Sequence, residues 1–168
     1  MGAKRRAIKA HKPQANNNNV VSFQKPQSKP INILPRNKNQ ETYMLKLLDP
    51  MKYIVFGVGP AGTGKTLLAV QVAIKLFKEG VIDKIVVTRP AVSADEDLGF
   101  LPGTMEEKMA PWTRPIFDVF KEYFTQKEIE GMMYDGVIEI SPLSYMRGRT
   151  FKKSIIVADE MQNATRNQ

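Results

Sequence analysis

Apolar residues fall in short blocks along this 168-residue chain, and the blocks differ in period. Gln40–Leu48 gathers Tyr43, Leu47 and Leu48 on one side of a short predicted helix, closed by Asp49-Pro50. Tyr53–Val58 is short, continuous, aromatic and β-branched, which predicts a strand buried on both faces. Thr66–Glu79 is apolar nearly all round and predicts a buried helix ending at Gly80. Lys84–Thr88, KIVVT, predicts a second buried strand, stopped by Arg89-Pro90. A polar loop follows from Ala91 to Gly103. Thr104–Phe124 then predicts helix, with a break or kink at Pro111 and Pro115. Gln126–Met133 predicts another short helix, Val137–Ile140 a short strand, and Ser154–Ala158, SIIVA, a third strongly apolar one. Strand–helix–strand order with uninterrupted apolar strands predicts an α/β fold, its mostly parallel sheet covered on both faces.

Charge divides the chain. Residues 1–38 hold nine Lys or Arg and no acid, whereas the rest holds sixteen basic and seventeen acidic residues. The net +8 therefore belongs to an Asn-, Gln-, Lys- and Pro-rich arm, which the composition predicts to be disordered. The folded domain is expected at 39–168. Such an arm is either a solvated leader or a polyvalent contact for nucleic-acid phosphates. Its His11, the only histidine, has no catalytic setting there.

The absence of cysteine excludes disulfides, thiolate zinc sites and cysteine nucleophiles, and fits a reducing compartment. No apolar run approaches the roughly 18 residues that span a bilayer. The basic N-terminus lacks the apolar core of a secretory signal, and Arg6 stands where a myristoylation motif carries Ser or Thr. The expectation is a soluble cytoplasmic protein without membrane contact.

The chemistry begins where the first apolar block meets a cluster of glycines. Gly59-Pro60-Ala61-Gly62-Thr63-Gly64-Lys65-Thr66 fits G-x-x-x-x-G-K-[ST] at every position, between a predicted strand and a predicted helix. Glycines allow left-handed backbone and let successive N–H groups converge on an anion. The helix beginning near Gly64 adds its positive end. Lys65 is expected to reach the β- and γ-phosphates of ATP, and Thr66 to ligate Mg²⁺. Asp159, ending the SIIVA strand, is the expected second holder of Mg²⁺, directly or through water. Glu160 beside it can take a proton from an attacking water, which favours hydrolysis over phosphoryl transfer to a metabolite. Gln162 is either a γ-phosphate sensor or a surface glutamine, and Gln40 a candidate for the adenine edge. For Asp95-Glu96-Asp97 a solvated loop outweighs a metal site. Trp112 and Phe117 could stack a base but fit a helix core better.

GPAGTGKT, VVTRPAV, LGFLPGTMEEKMAPWTRPIFD, YMRGRTF and IIVADEMQNAT together resemble the PhoH family from about Gln40 to Gln168. Its members, found in bacteria and their phages, are known as phosphate-starvation-inducible ATPases; the short length and basic leader point to a phage-type member. The resemblance implies a P-loop NTPase with a RecA-like sheet, similar to the first domain of superfamily 1 helicases. It makes Gln40 similar to an adenine-recognising glutamine and Asp159-Glu160-Met161-Gln162 similar to a DEAQ box, with Met161 in place of alanine. It sets Arg89, within Thr88-Arg89-Pro90, and the pair Arg147 and Arg149 as nucleic-acid candidates. For the latter two, a turn with solvated arginines is the plain alternative. It further implies single-stranded RNA as partner and a homo-oligomeric ring such as a hexamer, one subunit's arginine reaching the next nucleotide. Members continue past the Asp-Glu strand, so the final strands of the sheet and a late arginine are expected to be missing here. Two functions follow: an RNA-linked ATPase, or a nucleotide-dependent RNA-binding module without turnover.

Overall fold

The computed structural model describes residues 31–90 and 105–167, with side chains in the second stretch from Trp112 onward. The basic arm to residue 30 and the whole predicted loop from Ala91 to Gly103, with the Asp95–Asp97 trio and Thr104, lie outside the described residues.

Helix α1 spans Lys38–Leu48; the Asn37 side chain accepts from Gln40 N–H at 3.0 Å and so satisfies one of the free donors of its first turn. Helix α2, Lys65–Lys78, starts from Gly64 in the left-handed region (φ 81°) and buries Leu68, Val70, Val72, Ala73, Ile74 and Phe77. Strand β1, Lys84–Thr88, falls where KIVVT predicts it. Helix α3 runs unbroken over Met105–Lys121, through both Pro111 and Pro115. The expected break does not occur. An interior proline costs about 3 kcal/mol. Burial of Ile116, Val119 and Phe120, each contributing roughly 1.5–3 kcal/mol, offsets that penalty. Helix α4, Gln126–Tyr134, is entered through a reciprocal box in which Thr125 and Glu128 satisfy each other's backbone N–H. Strand β2 is Ile138–Ile140 and strand β3 is Ser154–Ala158.

The three strands are parallel in the order β2-β1-β3, with Ile85 opposite both Ile138 and Ile155. Ile85 and Val87 join side chains of α2, α3 and α4 in one apolar cluster. Val86 and Thr88 point the other way and are buried as well, so the sheet is covered on both faces at β1. A parallel sheet flanked by helices, with α3 and α4 in the crossover from β1 to β2, makes this an α/β fold of the P-loop NTPase kind.

One predicted element is overturned. Tyr53–Val58 belongs to no ladder, and Tyr53, Ile54, Phe56 and Val58 are 74–92% exposed. Apolar, β-branched side chains favour a strand only when neighbouring strands take the backbone groups and cover the faces. Among the described residues no strand does either for this segment.

Candidate nucleotide-binding site

The glycine-rich loop, Gly59 to Gly64, sits between that unpaired segment and the first turn of α2. Gly62 and Gly64 have φ of 75° and 81°, a conformation that glycine adopts without steric cost. A Cβ on Gly64 would also lie 3.2 Å from Gln40 Nε2. Thr63 Oγ1 donates to Pro60 O at 2.9 Å and closes the loop on itself. The Lys65 ammonium donates to Gly59 O at 2.9 Å and Pro60 O at 2.7 Å, which holds the charge over the loop.

Folding brings the two halves of the site together across 93 residues. Thr66 Oγ1 donates to Asp159 Oδ1 at 2.7 Å in a partly buried contact. Asp159 is fixed in turn by its N–H, which donates to Thr88 O at 2.9 Å and extends the β1–β3 ladder by one rung. Glu160 follows in the left-handed region (φ 51°), a strained place for a residue with a side chain. That turn lifts its carboxylate off the strand end, where the Gln162 amide donates to it. Gln162 thus meets Glu160.

Gln40 holds the loop from the other side. Its Oε1 accepts from Arg36 N–H at 2.7 Å and its Nε2 donates to Thr63 O at 3.0 Å. A groove of about 340 Å³ opens between α1 and the loop, lined by Asn37, Gln40, Tyr43, Lys46, Phe56 and Lys65 among others. Tyr43 is a residue whose role here the sequence did not reveal. Its ring lies against Gly57, where an added Cβ would come within 3.0 Å of the hydroxyl. Burial, and then the negative charge of Asp159, push the phenol's pKa up. The available signal was its spacing, three residues after Gln40 on the same helix face.

The arginine candidates separate. Arg149 forms a forked pair with both oxygens of Glu139, whose second partner is Lys84 at 2.6 Å, and lies 4.7 Å from the Phe151 ring centre. The Arg149 hydrogen bonds, with help from Lys84, hold the Glu139 carboxyl at about 2. Arg147 donates to Asn167 O at 3.0 Å from an exposed position. Arg89 lies 5.7 Å from the Trp112 ring centre. Its Nε is buried without a hydrogen-bond partner among the described residues, as is the Thr88 hydroxyl. Trp112 thus lies beside Arg89, while Phe117 packs beside Phe120 against the core, as its helix spacing predicts.

Among the described residues no three His, Cys, Asp or Glu side chains cluster as a metal cage. Mg²⁺ bound with a nucleotide takes one or two protein oxygens and fills its shell from phosphates and water. The adjacent Thr66 and Asp159 oxygens fit such a demand. No described helix is long and apolar enough to cross a membrane.

A family model described as PhoH-like protein matches residues 32–168. A PhoH-like protein of Bacillus subtilis is 44% identical over 140 residues, covering 79% of this chain and 44% of its own length. One from Mycobacterium tuberculosis strain H37Rv is 46% identical over 136 residues, 81% of this chain and 38% of its own. Protein PhoH of Escherichia coli K12 is 43% identical over 144 residues, again 81% and 38%. The chain spans less than half the length of these relatives. With the glycine loop, Lys65, Thr66 and Asp159 assembled as above, and the family model matching nearly all of the described fold, this chain belongs to the PhoH family.

Proposed function

We propose that the chain binds ATP and, with Mg²⁺, hydrolyses it, in work coupled to single-stranded RNA. The contact between Thr66 and Asp159 carries this reading, because it aligns the phosphate loop with the carboxylate that a nucleotide-bound Mg²⁺ needs. The loop amides, the α2 N-terminus and Lys65 supply positive potential for the triphosphate, with the groove beside α1 taking the base. Phosphate oxygens would replace the Gly59 and Pro60 carbonyls as partners of Lys65. Mg²⁺ held by Thr66 and Asp159 would neutralise charge building on the phosphates.

Glu160 is the general base of this proposal. Its carboxylate takes a proton from water, the water oxygen attacks the γ-phosphorus, and the bond to the ADP oxygen breaks. Gln162 positions that carboxylate. Gln40 acts first on the loop, through Thr63, and by that route on the base. Arg149, whose charge Glu139 neutralises, is the weakest of the three arginine candidates for RNA, and Arg89 and Arg147 remain in this reading. The arm at 1–38 adds the salt-dependent part of RNA binding through its nine basic residues. A ring of copies is part of the same reading.

The test is phosphate release by the purified chain with Mg²⁺, with and without single-stranded RNA, and nucleotide binding measured alongside. Turnover that RNA raises and that Glu160→Gln lowers by roughly 10²-fold or more, with binding kept, supports hydrolysis. Binding without turnover, in the chain and in Glu160→Gln alike, favours the RNA-binding module. Loss of neither property in Lys65→Ala contradicts the assignment of the loop.

A further inference from the structure

Between β2 and β3 the chain runs through PLSYMRGRTFKK, residues 142–153, with four basic residues and no acid. A short 3₁₀ turn, Leu143–Met146, follows the C-terminal end of β2. It is mounted on β1. Val87 O accepts from Ser141 N–H at 3.0 Å and Arg89 O from Leu143 N–H at 3.3 Å. Thr88 O, between them, accepts from Asp159 N–H at 2.9 Å. Successive carbonyls of one strand end thus hold the turn on one side and the candidate Mg²⁺ carboxylate on the other. Farther along, the fork between Arg149 and Glu139, with the Phe151 ring beside the guanidinium, fastens the stretch to β2. Between these fastenings the Tyr145 side chain is 63% exposed, while Pro142 is buried and Leu143 and Met146 are half-buried. The turn puts its aliphatic side chains inward and its aromatic ring out. Arg147 is exposed two residues on, and an added Cβ at Gly148 would meet nothing within 4 Å, so the space beside the ring's turn is open.

We propose that the Tyr145 ring is a stacking platform for an unpaired base of single-stranded RNA, and that Arg149 positions this platform without touching RNA itself. The proposal rests on the RNA-linked reading above and gives it a named aromatic contact. A flat ring among cations, with no acid in the same stretch, suits a base joined to a phosphate. The tyrosine side chain has only two rotatable angles, so holding it in a stack costs little entropy, and a turn pinned at both ends lowers that cost further. A double helix keeps its bases stacked on one another and offers none to the ring. The Arg149 guanidinium is committed to both Glu139 oxygens, which makes it a fastener of the turn. The stacked base then sits beside the strand end that fixes Asp159.

The experiment is fluorescence anisotropy of a labelled, unstructured RNA of about 15 nucleotides with the full chain, without nucleotide, across a range of salt. Tyr145→Ala is expected to weaken binding roughly tenfold, and Tyr145→Phe, which keeps the ring face, to stay within about twofold of the unaltered chain. The slope of log affinity against log salt should be the same in Tyr145→Ala, because no phosphate contact is lost. Blunt duplex RNA of the same length should bind that variant as tightly as the unaltered chain. Tyr134→Ala is the control, since Tyr134 is 93% exposed but ends α4, at the opposite end of β2. Glu139→Gln separates the roles of Arg149. It should weaken single-strand binding several-fold if the fork mounts the turn, with no further loss in the Tyr145→Ala background. The stacking site is overturned if Tyr145→Ala binds like the unaltered chain, if Tyr145→Phe is equally impaired, or if Tyr134→Ala matches it. Tighter binding by Glu139→Gln overturns the role given to Arg149, because the freed guanidinium then contacts RNA. If the unaltered chain binds RNA and only the Tyr145 variants disagree, the RNA-linked reading stands without this site. If the unaltered chain binds no RNA, both fall.

Discussion

Strand β1 and the segment Tyr53–Val58 are built from the same kinds of residue and end beside the same site. β1 has β2 on one side and β3 on the other, and its Ile85–Thr88 are at most 3% exposed. Among the described residues Tyr53–Val58 has no paired strand, and Phe56 is 84% exposed. What separates them is supply of neighbours. A strand gains its ladder and its burial from other strands, so identical local preference has opposite outcomes where partners are present and where they are not. The site inherits the difference. Asp159 stands on a strand locked into the sheet, whereas the phosphate loop follows a segment held by α1, through Tyr43 and Gln40.

The most demanding test of that contrast is to truncate both segments alike. Ile85→Ala should cost about 2–5 kcal/mol in denaturant unfolding, because it opens a cavity in a packed core. Phe56→Ala should stay within about 0.5 kcal/mol, as an exposed truncation does. Equal costs would mean that the segment is buried in solution.

Next in size is the link to α1. Gly57→Ala pushes a methyl against the Tyr43 ring, with contacts of 3.0–3.3 Å. Shifting that pair should cost on the order of 1–2 kcal/mol. Nucleotide affinity is expected to fall several-fold, read by calorimetric titration; an unchanged affinity would show that the loop does not depend on this contact.

Thr125→Ala removes one side of the cap that starts α4 and should lower stability by about 1 kcal/mol, with nucleotide binding unaffected. It serves as the sheet-side control for Gly57→Ala.

A smaller change reports on how β2 and β1 are pinned. Glu139 has its carboxyl held at about 2, below its ordinary 4.5, by Arg149 and Lys84. A depressed carboxylate contributes stability that is fully present above its unfolded value and is lost as pH falls through the folded one. Glu139→Gln should therefore flatten the loss of stability between pH 4.5 and about 2. At neutral pH it should cost no more than about 1 kcal/mol, because the pair is partly solvated. An unchanged acid limb would show that the fork does not persist in solution.

Much of the site is legible in the order of residues alone. The glycine loop announces itself because few other uses require Gly62 and Gly64 with Lys65 and Thr66 between apolar blocks. The carboxylates at 159 and 160 follow from their place at the end of SIIVA. Less legible is Arg149, which reads as a free cation until folding sets Glu139 beside it. Trp112 likewise reads as core or base-stacker until Arg89 is placed at its ring. Such pairings join residues that sequence spacing does not relate. The prolines of α3 mislead because a helix's local penalty is visible in sequence, while the packing that offsets it is not.

Side-chain type and period are enough to give the α/β order, two of the three strands to the residue, and the place of the glycine-rich loop before α2. Each of these depends on a few neighbouring residues. It takes the folded chain to bring Thr66 to Asp159 and Gln40 to Thr63, and to leave Tyr53–Val58 outside the sheet. Those outcomes depend on which backbone edges come within hydrogen-bond distance, and that distance is a property of the whole fold.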